Sequence, residues 1–228
     1  MPSKSPRAWR CLWLILLLLA PPFPMLYAAQ TFQESGGQVV MEAEHFNGNT
    51  ARGGKTWTLQ TSPSGFSGAG HMTAIPNTGA SINTGYVTTS PELVFNVTFA
   101  TTGTYYIWVR GQATVADGND DSLHAGLNGI GPASADRLNG FNTTSWVWKQ
   151  DTMDGVPATL VITSTGLHTI HLWMREDGMR VDKLLLRTSS SSTAPSGTGP
   201  SESARVTLDT TPPQITITSP ADGSIVTP

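Results

Sequence analysis

Apolar and polar residues alternate along much of this chain with a period of two. In Glu92–Ala100 the residues Leu93, Phe95, Val97 and Phe99 take every second position, and in Thr104–Arg110 Tyr105, Ile107 and Val109 alternate with Tyr106 and Trp108. Successive side chains of a strand point to opposite faces, so the pattern predicts half-buried β-strands. Thr101-Thr102-Gly103 between them predicts the turn of an antiparallel hairpin. The same reading places strands at Gln38–His45, Thr56–Gln60, Gly70–Ile75, Ser122–Leu127, Ser145–Gln150 and Ala158–Ser164. His168–Thr188 reads as two more, with Ile170, Leu172 and Met174 alternating against Thr169, His171 and Trp173 and with Asp177-Gly178 at the turn. No amphipathic helical window exceeds two turns. Eight or more short strands separated by turns predict an all-β chain, a jelly-roll β-sandwich.

Three stretches break the alternation, and a fourth resumes it. Residues 1–28 carry Arg7 and Arg10 ahead of the apolar run Leu12–Ala20, and Leu26-Tyr27-Ala28 offers small residues for a peptidase, so they read as a secretory signal peptide cut after Ala28. An uncleaved anchor is the alternative, although the run is shorter than the roughly 20 residues that span a bilayer. Phe46–Asn83 is rich in Gly, Ser, Thr and Asn and reads as long loops. Residues 189–208 read as a flexible Ser/Thr/Pro/Gly linker, with no residue of Ser189–Ala204 expected to anchor a core. Residues 209–228 then begin a new alternating strand, Gln214-Ile215-Thr216-Ile217-Thr218, which predicts the truncated start of a further domain. The sandwich itself is expected over residues 38–188.

Composition narrows the function classes. The only cysteine, Cys11, lies in the expected signal peptide, which leaves a cysteine-free secreted domain without disulfides. Loss of the signal removes three of thirteen basic residues and none of sixteen acidic ones, for a net charge of −6. That balance excludes a basic nucleic-acid surface. The domain is expected to be extracellular or on a cell surface, and monomeric within its chain.

Chemistry is concentrated in a few residues. Asp182 sits among Val181, Leu184, Leu185 and Leu186, where a sheet should bury hydrocarbon. A buried carboxylate needs a partner. Period two puts Glu42 and Glu44 on one face of a strand near the other end of the chain, and neighbouring first and last strands would bring all three carboxylates together. Their repulsion predicts a cation, and oxygen ligands on an extracellular protein point to structural calcium held by Glu42, Glu44 and Asp182. The plainer alternative has both glutamates in solvent and Asp182 capping a strand end. Asp117-Gly118-Asn119-Asp120-Asp121 has calcium-loop spacing, but Ser122 and Asn128 stand where that motif needs Gly and Glu. It reads as a polar hairpin loop, with a second, weaker cation site as the alternative.

For sugar contact the candidates are Trp57, Tyr86 and Trp146, with Arg175 and Asp177 beside the turn to take hydroxyls; a charged, solvated turn is the alternative for the last two. Trp108, Trp148 and Trp173 are expected in a second packing layer instead. No Ser-His-Asp order or paired-carboxylate cleft supports catalysis, so no enzyme is expected in this segment.

Taken in order, Glu42-Ala43-Glu44, Phe66-Ser67-Gly68-Ala69-Gly70, Gly103–Arg110 and Arg180-Val181-Asp182-Lys183-Leu184 resemble the galactose-binding-like jelly rolls. They are most similar to family 6 and family 35 carbohydrate-binding modules and to a similar domain at the C-terminus of some glycoside hydrolases. Pro212–Gly223 resembles the first strand of a bacterial immunoglobulin-like repeat. The resemblance implies calcium at Glu42, Glu44 and Asp182 and a sugar site in the end loops or on a sheet face. Together these readings predict a non-catalytic carbohydrate-binding module that targets a longer protein to a polysaccharide. A calcium-stabilised structural or adhesive spacer without sugar binding is the alternative.

Overall fold

A computed structural model describes residues 30–207, so the expected signal peptide and the expected immunoglobulin-like start lie outside the described residues. Thirteen strands form in chain order: β1 Gln30–Gln33, β2 Gln38–Glu42, β3 Gly48–Thr50, β4 Thr56–Gln60, β5 His71–Ile75, β6 Glu92–Phe99, β7 Gly103–Gln112, β8 Leu123–Leu127, β9 Val147–Lys149, β10 Thr159–Ile162, β11 Gly166–Met174, β12 Arg180–Arg187 and β13 Arg205–Thr207. One short helix, α1 Tyr86–Thr89, interrupts them. The strands build two sheets. The first runs β13-β1-β6-β11-β8 with β3 also on β6; the second runs β10-β7-β12-β5-β4 with β2 on β12 and β9 on β7. All pairings are antiparallel except β1 with β6. This is the expected jelly-roll sandwich.

The core lies where the alternation puts it. Leu93, Phe95, Val97 and Phe99 of β6 and Ile170, Leu172 and Met174 of β11 face Tyr105, Ile107 and Val109 of β7 and Leu184 and Leu186 of β12, and all are buried. Full burial of such a side chain contributes about 1.5–3 kcal/mol, so this interior supplies the driving force that disulfides would supplement in a smaller domain. The opposite phase of the second sheet forms a separate apolar patch: Val40, Trp108, Trp148 and Leu185. Trp173 of the first sheet is buried as well. The second packing layer expected of Trp108, Trp148 and Trp173 is thus present.

The strand expected over Gln38–His45 ends early, at Glu42, and Ala43–His45 turns as a 3₁₀ helix. Glu42 and Glu44 are therefore not two positions of one strand face. A second irregularity lies opposite. β12 pairs with β5 through Arg180 and Val181, then with β2 from Lys183 onward, and its register against β7 shifts between Val181 and Lys183. Asp182 sits at that joint.

Residues 189–204 also differ from expectation. They do not lead away from the sandwich; they return across the second sheet to β13, which pairs with β1. Thr188 N–H donates to Gly37 O at 2.9 Å, Ser203 N–H to Val40 O at 3.0 Å and Gln33 N–H to Ala204 O at 2.9 Å. The segment covers the tryptophan patch, with the Trp148 indole N–H donating to Gly197 O at 3.1 Å. A Cβ at Gly199 would stand 2.5 Å from the Trp148 ring, so glycine there lets bare backbone lie on the aromatic face. The strap is anchored by main-chain groups, which a polar composition does not reveal.

Ending the chain at Thr188 removes this cover and exposes Val40, Trp108, Trp148 and Leu185. Comparison of thermal melts of the two lengths is expected to show a lower Tm for the shorter chain, with new binding of a hydrophobic dye.

Candidate functional site

The β12 joint gathers the three expected carboxylates around the loop between β4 and β5. Asp182 is fully buried. Its Oδ2 lies 2.6 Å from Arg110 Nη1 of β7, and Ser67 N–H donates to its Oδ1 at 2.8 Å. Glu42 Oε1 lies 2.9 Å from Lys183 Nζ, while the Ser67 hydroxyl donates to Glu42 Oε2 at 2.7 Å. Ala69 N–H donates to Glu44 Oε1 at 2.7 Å; the other oxygen, Oε2, is buried without a partner. Burial lifts the Glu44 carboxyl above the ordinary carboxylate value. Gly68 takes φ +67°, the left-handed region that favours glycine, and a Cβ there would displace Glu44 Oε1.

Calcium at these carboxylates would compete with protein donors. The ion takes six to eight oxygens. Here five of the six carboxylate oxygens already accept hydrogen bonds, two of them from full positive charges.

Arg110 extends this knot toward an aromatic patch. Its guanidinium lies 5.5 Å from the Trp146 ring centroid and donates to Gly65 O at 3.0 and 3.1 Å. The Trp146 indole N–H donates to Ser64 O at 3.0 Å. His71 stands between Trp146 and Phe66, at centroid distances of 5.1 and 5.8 Å. Trp146 and Phe66 are both half-buried, whereas Ser62, Ser64, Thr144 and Ser145 around them are exposed. The arrangement presents aromatic edges within a rim of hydroxyls, with a cation behind. Of the expected sugar-contact residues, Trp146 alone belongs here.

The other four are structural. Trp57 is 1% exposed in the main core, and its indole N–H donates to Pro91 O at 3.1 Å. Tyr86 stacks on His124 with centroids 3.7 Å apart and packs beside Trp173. Asp177 is fully buried; it pairs with Lys55 and accepts N–H bonds from Thr78 at 2.8 Å and Ala80 at 2.9 Å, so it ties a loop rather than facing solvent. Arg175 pairs with Glu176, donates to the Ser122 hydroxyl at 2.7 Å and reaches Asn83 Oδ1 at 3.0 Å. These long-range partners replace the solvated turn that local sequence offered as the alternative.

The loop before β8 joins this second network. Asp120 Oδ2 accepts from Thr114 N–H at 2.6 Å and Val115 N–H at 3.0 Å, while Glu176 Oε2 accepts from Asp121 N–H at 3.0 Å. Asp120 folds the loop from within, and Glu176 of the turn between β11 and β12 holds it to the sandwich. Burial, then the adjacent Glu176, push the Asp121 carboxyl up to about 6. His124 is pushed down to about 4 by burial. Its Nδ1 accepts from Arg137 N–H at 3.0 Å, leaving Nε2 to donate to Ile82 O at 2.9 Å, so the ring is neutral.

Residues 31–202 match the model of the glycosyl hydrolase family 115 C-terminal domain. The chain belongs to this family. The match runs through Glu202, so the strap lies within the family's domain. Uncharacterized protein P23 of Formosa agariphila is 30% identical over 233 residues, covering 82% of this chain and 54% of that protein. The chain thus spans about half the length of that curated relative.

Solved structures are more remote. A family 35 carbohydrate-binding module from Clostridium thermocellum is 16% identical with a TM-score of 0.46, covering 67% of this chain and 98% of that one. A Podospora anserina GH26-CBM35 β-(1,4)-mannanase is 21% identical with a TM-score of 0.47, covering 69% of this chain and 29% of that one. At these values neither bears on a residue or a ligand of this domain.

Two outcomes are expected. Trp57→Ala should lower unfolding stability by about 3–5 kcal/mol in denaturant titration, as a large deletion from a packed core does. Asp121 holds a proton more tightly when folded than its ordinary 3.8 allows, so its contribution is full below that pH and is lost as pH rises through about 6. Asp121→Asn should therefore gain stability relative to the parent as pH rises from 4 to 6 and level off above it, read by melts across that range.

Proposed function

We propose that this domain binds a carbohydrate without transforming it, as an accessory module that holds its parent protein at an extracellular polysaccharide. The observation that carries the reading is the half-buried Trp146, separated from the half-buried Phe66 by the His71 ring, among exposed serine and threonine residues and backed by Arg110. Pyranose C–H faces pack on aromatic rings while hydroxyl and guanidinium groups take the polar edge. Membership of a domain family attached to a glycosyl hydrolase supports the same substrate class. Holding the parent near its substrate raises effective concentration even when each contact is modest.

The second reading, a structural spacer, is favoured by a different observation. Trp57, Trp108, Trp148 and Trp173 are all buried and serve packing.

The two readings part in one experiment. The purified chain is mixed with insoluble xylan, mannan, cellulose and β-1,3-glucan, and the bound fraction is measured beside Trp146→Ala and Phe66→Ala. Retention on one polysaccharide, weakened about tenfold or more by either variant with Tm unchanged, is expected; tenfold corresponds to about 1.4 kcal/mol. A folded chain retained by none of them supports the spacer.

A further inference from the structure

The carboxylate knot contains its own counter-charges. Lys183 Nζ has three hydrogen-bond donors and three oxygen partners: Glu42 Oε1 at 2.9 Å, Thr198 O at 3.1 Å and Pro200 O at 3.2 Å. Arg110 makes four hydrogen bonds with its five N–H donors: Asp182 Oδ2 at 2.6 Å, Gly65 O at 3.0 and 3.1 Å and Gly197 O at 3.0 Å. Carboxylates of β2 and β12, a carbonyl of the loop between β4 and β5 and carbonyls of the strap all converge on two nitrogen cations. Those are the oxygen types that a hard divalent ion would gather.

We propose that Arg110 and Lys183 together do the work of a structural cation at Glu42 and Asp182, neutralising the buried carboxylates and clamping the strap, so that the sandwich needs no metal there. The bulge in β12 serves this arrangement. It stands between Val181 and Lys183, where both members of the Asp182-Lys183 pair engage the knot. Both nitrogens also hold strap carbonyls, so the same two side chains couple β7 and β12 to the segment that covers Trp108 and Trp148. A divalent ion between these carboxylates would stand beside two full positive charges. The repulsion makes metal and side-chain cations alternatives.

The test uses the full chain, stripped with chelator and then titrated with calcium alone. No stoichiometric calcium by calorimetry or elemental analysis, and the same Tm in millimolar calcium and in chelator, are the expected results. Bound calcium at one equivalent whose removal lowers Tm would overturn the proposal. Arg110→Gln and Lys183→Gln are each expected to lower Tm by about 5 °C or more, and Lys183→Gln to speed amide exchange over residues 196–204. Variants as stable as the parent would equally overturn it. Should a variant not fold, the calcium titration of the parent chain still decides.

Discussion

A carboxylate with no access to solvent governs this fold. Asp182 is placed at the point where β12 changes partner from β5 to β2, and leaving its charge unpaired there would cost several kcal/mol. The chain answers with Arg110 from the neighbouring strand and with Ser67 from a loop more than a hundred residues away in sequence. Removing one partner of such a pair typically costs about 3–5 kcal/mol, much more than an exposed ion pair contributes. The loop between β4 and β5 meets this group through Ser67, and Arg110, which pairs with it, also lies against Trp146. The structural centre and the candidate binding patch therefore share a residue, Arg110.

The strap shows how a sequence that looks unstructured acquires a place. Gly197 and Gly199 contribute no side chain, yet their backbone lies against Trp148, and carbonyls from 197 to 200 accept from Arg110, Trp148 and Lys183. Glu202 Oε1 lies 2.7 Å from His45 Nδ1, a contact that anchors the turn carrying Glu44. A flexible linker and a backbone strap have the same composition. They differ in whether donors elsewhere await their carbonyls, and this is a property of the sheet, not of the segment.

Legibility follows the range of each interaction. The strands of the core were readable because alternation is local: β6, β7, β11 and β12 lie within two residues of where their apolar residues predict. Asp182 was readable as a buried charge for the same reason. Its partner was not named, although Arg110 is a charged residue on the same phase as Trp108, and that placement was the available signal. Trp57 misled because its neighbours Thr56 and Thr58 are polar; pairing with Ala74 on β5 and closure by Pro91 decide its burial. Asp177 misled likewise, since a charge at a turn reads as solvated until Lys55 is known to reach it.

Coverage of the two sheets then constrains where recognition can occur. On the first sheet, Tyr86 stacks on His124 beside Trp173, His171 stacks on Trp173, and Glu92 ties His171 to Arg52. A Cβ at Gly131 would overlap the Tyr86 ring, so the loop after β8 closes down on this column. On the second sheet the strap lies over Trp108 and Trp148. Neither outer face presents a flat aromatic platform, because each has been closed by its own chain. On the proposed function a polysaccharide would be left with loops, and among the described residues the loop edge with partly exposed aromatic rings beside a held cation is that of Phe66 and Trp146. Among the described tryptophans, the packing that makes four of them structural leaves the half-buried Trp146 for the proposed binding role.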